Sequence, residues 1–134
     1  AAINQGIPQL QSELNNIFAD NKLDAIVYPT IATPATPITD SEGNEIEDPT
    51  YEANLDNIGG DPYRANYLGN LTGFPDLTLP VGYTEQGLPV GMSLFGQEFT
   101  EPTLIGLAYA YEQQNPVRVY PSNTPAFPGE NFEY

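Results

Sequence analysis

A gap in the hydrophobic pattern limits the fold more than any other feature of the chain. An unbroken apolar run, Ala25-Ile26-Val27-Tyr28, stops at Pro29, and no regular period returns until Gly59-Gly60. Pro29, Pro34 and Pro37 punctuate a Thr/Ala-rich stretch, and an acidic one follows. A loop of this length is either functional or an excursion over the surface, so the ordered elements must lie on either side of it. Upstream, Ile3, Ile7, Leu10, Leu14 and Ile17 recur at helical spacing with Phe18 beside them. Proline is tolerated only in a first turn, so Pro8 sets the start and predicts a helix over 7–20. Asn21, Lys22 and Asp24 then turn the chain into a strand over 25–29, whose continuous apolar character suits burial on both faces in a parallel or mixed sheet. A helix followed by a buried strand indicates α/β architecture.

Downstream of the gap, Asp61 and Pro62 suit an N-cap and a first helical residue, predicting a helix over 61–72 that ends in a left-handed cap at Gly73. Gly69 costs such a helix up to ~1 kcal/mol relative to alanine, and close packing against another element is the expected reason. Leu77, Leu79 and Val81 alternate with polar or proline neighbours, and Val90, Met92 and Leu94 alternate again after a turn containing Gly87. The pattern predicts a hairpin of strands 77–82 and 90–95, with Pro80 at an edge or bulge because it cannot donate to a ladder. Thr100, Glu101 and Pro102 open a helix over 101–114 with Leu104, Leu107, Ala108 and Tyr111 as its stripe. Residues 1–115 thus form one segment carrying an acidic loop at 40–60, and 116–134 a proline-rich tail.

Charge and missing residue types narrow the chemistry. The 134 residues include 18 acids and three cations, for a net charge of −15, with no histidine and no cysteine. Such a surface repels phosphate backbones and anionic membranes, so neither nucleic acid nor membrane is an expected partner. No apolar run is long enough to cross a bilayer. Without His or Cys there is no Ser-His-Asp or Cys-His catalyst, no disulfide, and no zinc, iron–sulfur or haem site built on those ligands. The acids Asp40, Glu42, Glu45, Glu47, Asp48, Glu52, Asp56 and Asp61 invite a calcium reading. Counted from Asp40, however, glycine falls fourth at Gly43 rather than sixth, and the closing Glu is misplaced. An ordinary solvated loop is expected, with no metal and no cofactor. No basic-then-apolar leader follows Ala1, and few lysines among many acids lean towards a secreted or periplasmic protein over a cytoplasmic one.

Three ordered blocks carry a family resemblance. They are Leu23-Asp24-Ala25-Ile26-Val27-Tyr28-Pro29-Thr30, then Asn70-Leu71-Thr72-Gly73-Phe74-Pro75 running into Leu77-Thr78-Leu79-Pro80-Val81-Gly82, then Gly87-Leu88-Pro89-Val90-Gly91-Met92-Ser93-Leu94-Phe95-Gly96. With the helix containing Leu107-Ala108-Tyr109-Ala110-Tyr111-Glu112-Gln113, the set spans residues 7–115 and resembles the C-terminal quarter of amidase-signature enzymes. Its wording around Glu101, Tyr109 and Gln113 is similar to peptide-amidase-like members.

The resemblance implies the C-terminal part of a larger mixed-sheet fold and a hydrolase that splits amide carbon–nitrogen bonds through an acyl-serine. The family's lysine, bridging serine and nucleophilic serine lie in a Gly/Ser-rich stretch upstream of the part matched here, and this chain holds no such run. Lys22 stands in a polar turn, whereas a lysine base must be desolvated. Ser12, Ser41, Ser93 and Ser122 are scattered with no base beside them. No catalytic residue is therefore assigned. Thr30 and Arg64 are the candidate substrate-binding residues, although pairing of Arg64 with a loop carboxylate is the plainer reading. Asn70, Gly73, Pro75, Gly87 and Gly91 are structural: Asn70 to satisfy late helix carbonyls or a loop N–H, Gly87 for the turn, Gly91 for close packing. The expected partners are the remainder of the same enzyme, or a second copy through exposed strands, and a small amide substrate in the parent. Ile26, Tyr28, Leu77, Leu79, Val90, Met92 and the face from Ile3 to Ile17 are the expected contact. The alternative is a self-contained acidic binding or structural module without catalysis.

Overall fold

The computed structural model describes residues 2–35, 39, 42–44 and 64–119. The acidic loop is outside this set apart from residues 42–44, as are the Asp61-Pro62 cap and most of the tail. A π-helical lead-in at Ala2–Gly6 runs into helix α1 (Ile7–Asn21), with Pro8 in its first turn as expected. Lys22 closes α1 in the left-handed conformation, at φ 53° and ψ 49°, donating its N–H to Ala19 and Phe18 carbonyls. Strand β1 (Ile26–Pro29) follows. After the gap, a 3-10 turn at Arg64–Asn66 leads into helix α2 (Tyr67–Thr72), strand β2 (Asp76–Tyr83), strand β3 (Pro89–Phe95) and helix α3 (Glu101–Gln114).

Each predicted element in the described residues is present, with two changes of character. The segment over 61–72 is α-helical only from Tyr67, because its described start winds as a tighter 3-10 turn. The sheet order is β1-β3-β2, and every pairing in it is antiparallel. Because β3 threads between them, β1 and β2 run in the same direction without pairing. As an outer strand, β1 is also not covered on both faces: Ile26 and Tyr28 are half-buried while Val27 is 56% exposed.

Alternation along the strands sorts side chains between two cores. On one face Leu14 and Phe18 of α1 meet Phe74 and Phe95, with Leu10, Ile26, Tyr28 and Leu68 packed around them. On the other face Leu104 and Ala108 of α3 meet Leu79 and Leu94, flanked by Ala25, Leu77, Met92 and Tyr111. The result is helix on sheet on helix. Phe95 lies centrally, with its ring centroid 6.2 Å from Phe18 and 6.0 Å from Phe74. Several residues expected at an outer contact are therefore used inside. Leu79 is 2% exposed, and Ile26, Tyr28, Leu77 and Met92 pack against the cores. The apolar side chains left outside are instead Ile3, Val27, Phe99, Ile105 and Tyr109, with Ile17 of α1 nearly half exposed.

Turn chemistry explains the connections. Gly73 takes φ 73° and donates its N–H to the Gly69 carbonyl at 2.8 Å, ending α2 with the left-handed cap that only glycine adopts without cost. The polar duty expected of Asn70, which is exposed, falls to Thr72. Its hydroxyl donates to the Leu68 carbonyl at 2.6 Å and accepts the Phe74 N–H at 3.2 Å. The Pro75 carbonyl accepts the Gly96 N–H at 2.9 Å, and Gly87 donates to Thr84 in the hairpin turn. Pro80 meets both of its expectations: it is on an outer strand, immediately before a register shift in the ladder. Where α2 packs on β2, Gly69 approaches so closely that a Cβ there would lie 3.4 Å from that of Asp76.

Truncating Phe95 to alanine is expected to cost ~3–5 kcal/mol, the range for a fully buried phenylalanine. Urea unfolding of the full-length protein carrying Phe95→Ala measures this, and a loss under ~1 kcal/mol would show that Phe95 does not anchor the packing.

Candidate functional site

Strand register builds the site. Ile26, Phe95 and Asp76 form one cross-strand row, and Tyr28, Ser93 and Thr78 form the next on the same face. Gly91 stands opposite Pro80 one row further, and the Thr30 N–H donates to the Gly91 carbonyl at 3.0 Å as the chain leaves β1. The face beneath α1 thus changes from apolar to polar within two rows. Phe95 is wholly buried; Ser93, two residues earlier, is 1% exposed and carries a hydroxyl.

That hydroxyl is the hub of a cluster. Ser93 Oγ lies 3.0 Å from Thr30 Oγ1 and 3.3 Å from Thr78 Oγ1, so three hydroxyls from three strand segments share hydrogen bonds. Beside them the Tyr28 hydroxyl donates to Asp76 Oδ2, spanning the sheet from one outer strand to the other. Gly91 forms the floor. A Cβ built there would meet Thr30 Oγ1 at 3.1 Å and Thr78 Cγ2 at 3.2 Å, so the two threonines can close over residue 91 only because it lacks a side chain.

The electrostatics favour binding over attack. Burial raises the Tyr28 phenol most; the hydrogen bond to the Asp76 carboxylate and that carboxylate's charge raise it further. The nearby Ser93 hydroxyl pulls the other way, and the balance is about 12. At neutral pH Tyr28 is therefore a fixed proton donor and no general base. Ser93 is covered and its hydrogen-bond partners among the described residues are neutral hydroxyls rather than a base. The cluster can orient a polar group of a ligand.

Of the two expected binding residues, Thr30 enters the cluster directly. Arg64 opens the 3-10 turn before α2, exposed and already engaged with other groups. Two residues on, Asn66 Oδ1 is buried without a hydrogen-bond partner among the described residues. Sequence reasoning missed Tyr28, Asp76, Thr78 and Ser93 as members of a site. Their signal was present in the alternation of both hairpin strands, which puts Thr78 and Ser93 on one face, but the pairing of β1 with β3 was needed to bring in Tyr28 and Thr30.

Known proteins share both the sequence pattern and the fold. The sequence pattern of the Amidase family matches residues 3–105. The chain belongs to the amidase family. It is 39% identical over 110 residues to a glutamyl-tRNA(Gln) amidotransferase subunit of Thermodesulfovibrio yellowstonii, covering 81% of this chain and 20% of that one. It is 38% identical over 108 residues to a fatty acid amide hydrolase of Arabidopsis thaliana, covering 80% and 16%. Its fold matches the native peptide amidase of Stenotrophomonas maltophilia with a TM-score of 0.53 at 30% identity, covering 81% of this chain and 20% of that one. The chain therefore spans about a fifth of the length of such amidases. The residues described here correspond to part of the amidase-signature fold.

Stability of the described fold is expected to fall as pH rises from 10 to about 12. The Tyr28 phenol keeps its proton in the folded state to about 12 while the unfolded chain loses it at 10.0, so folding binds the extra proton only in that window. Ultraviolet tyrosinate titration should show Tyr28 titrating late, identified by its loss in Tyr28→Phe. Asp76→Asn should bring it down by removing the carboxylate, and an unchanged late titration in that variant would contradict the assignment.

Proposed function

We propose that this chain is the C-terminal part of an amidase that hydrolyses carbon–nitrogen bonds of amides. On this reading the nucleophilic serine, bridging serine and lysine lie upstream. The present residues complete the sheet and supply one wall of the substrate pocket through Thr30 and the surroundings of Arg64. The observation that carries the proposal is the family match over 103 consecutive residues, 3–105, in a chain whose own cluster holds no activated nucleophile. Family membership supplies the reaction, and the cluster supplies only contacts. The remainder of the same polypeptide is the natural partner. Ile3, Val27, Ile105 and Tyr109 are each more than half exposed, which a self-contained module would not favour.

The full-length protein is expected to release ammonia from a primary amide, and the 134-residue chain by itself to release none. Thr30→Ala and Arg64→Ala in the full-length protein should each raise KM by roughly tenfold, the scale of one lost hydrogen bond to a charged or buried partner. Hydrolysis by the isolated chain that vanishes on mutating Ser12, Ser41, Ser93 or Ser122 would sink the proposal.

A further inference from the structure

Antiparallel pairing fixes which way the backbone groups of an outer strand face, because hydrogen-bonded rows alternate with rows that are not. The Thr30 N–H donates to the Gly91 carbonyl, so the rows of Tyr28 with Ser93 and of Ile26 with Phe95 are the hydrogen-bonded ones. Val27 and Pro29 fall between them and turn their backbone groups away from β3. The outer edge of β1 thus offers the N–H and carbonyl of Val27 and the carbonyl of Pro29, whose nitrogen carries no proton. Among the described strands β1 has one neighbour, β3, so no strand uses these groups. The same alternation on β2, counted from the Gly96 N–H that donates to the Pro75 carbonyl, turns Asp76, Thr78 and Pro80 outwards.

The two outer edges differ in kind. The edge of β2 carries features that stop further pairing: a carboxylate at Asp76, no N–H at Pro80, and a register shift immediately after it. Its side chains on the α3 face are covered, with Leu79 2% exposed. β1 carries no such stop before Pro29, its last residue. Val27 shares a cross-strand row with Leu94 and Leu77, and of these three only Val27 lies outside the core beneath α3, at 56% exposed. The apolar face of the sheet therefore runs off through β1. The sequence patterns agree. Ala25-Ile26-Val27-Tyr28 is a continuous apolar run, which suits a strand covered on both faces, whereas Asp76 and Thr78 alternate with Leu77 and Leu79. One more strand would make β1 the inner strand that its residues describe.

We propose that a strand from the rest of the same polypeptide pairs with the outer edge of β1, accepting the Val27 N–H, donating to the Val27 and Pro29 carbonyls, and covering Val27 on the α3 face. The inference rests on the amidase reading for its occupant: this chain spans about a fifth of the length of the amidases it matches, and such an enzyme has the chain to supply a strand. A second copy fits less well, since a net charge of −15 on each chain opposes their pairing.

Two measurements on the full-length protein test this. Residue-resolved amide hydrogen exchange reads the edge directly. The Val27 amide should be protected to within about tenfold of the Tyr28 amide, which faces β3. Exchange of Val27 at the rate of an unstructured chain overturns the proposal, and so does protection that is lost on dilution, which would make a second copy the occupant. Val27→Thr, a change of nearly constant volume, reads the burial. Beneath a covering strand it should lower the urea midpoint by roughly 0.3 M or more, because the new hydroxyl is taken from water. An unchanged midpoint overturns the covering of Val27. A protein that hydrolyses amides yet leaves Val27 unprotected keeps the amidase reading and loses this inference. Protection at Val27 in a protein that hydrolyses none keeps the paired edge and loses the amidase reading.

Discussion

Phe95 fixes the register on which everything else in the sheet depends. Its ring is fully buried against Phe18 and Phe74, and its row partners are Ile26 and Asp76. Leu94 and Met92, pointing the other way, are held by the core beneath α3. A strand that slipped by one residue would send every side chain to the opposite face, putting Phe95 against α3 and Leu94 against α1. Ser93 and Gly91 share the face of Phe95 by the same period of two, so the constraint that buries an aromatic ring also delivers a hydroxyl and a closely packed glycine floor to the cluster. The site has no independent scaffold. It is the polar continuation of a hydrophobic row.

This dependence explains what was legible in the sequence. Helix periods at Leu10, Leu14 and Phe18, and at Leu104, Ala108 and Tyr111, are local, and they located α1 and α3 to within a residue or so. The cap at Gly73, the turn at Gly87 and the interruption beside Pro80 are backbone properties of single residues, and they too could be read directly. Strand order is different. Nothing in Ala25-Ile26-Val27-Tyr28 states that β1 pairs with β3 rather than β2, or that Val27 is left uncovered. The cluster inherits that blindness, since Tyr28 and Asp76 are 48 positions apart and meet only across the intervening strand. Thr30 was reachable through its place in the family motif, whereas Tyr28, Asp76, Thr78 and Ser93 needed the register.

The division of labour within the family fold follows from the same features. An acyl-transfer enzyme needs an activated nucleophile, and activation needs a base or a desolvated lysine within hydrogen-bond reach. The cluster offers instead a phenol held protonated to about 12 and hydroxyls joined to one another. These groups are suited to orienting a ligand because none of them changes protonation near neutral pH. A binding wall made of such groups keeps its donors and acceptors fixed while proton transfers proceed elsewhere.

Exposed apolar side chains weigh against the stability of this chain by itself. Burying a Val, Leu, Ile or Phe side chain is worth ~1.5–3 kcal/mol, and an entire domain is stable by only ~5–15 kcal/mol. Ile3, Val27, Phe99 and Ile105 are 76%, 56%, 81% and 58% exposed, so most of that gain is unrealised at four large side chains. Phe99 carries a second cost: at φ 64° a bulky residue is held in the left-handed region, where ~1–3 kcal/mol of strain is typical. A strained backbone bearing an exposed ring recovers neither cost within the described residues. The exposed side chains are distributed over the lead-in, β1, the turn before α3 and α3 itself, so no one contact could cover them. A surrounding body that covers several sides at once could, and this chain spans about a fifth of the length of the relatives it matches.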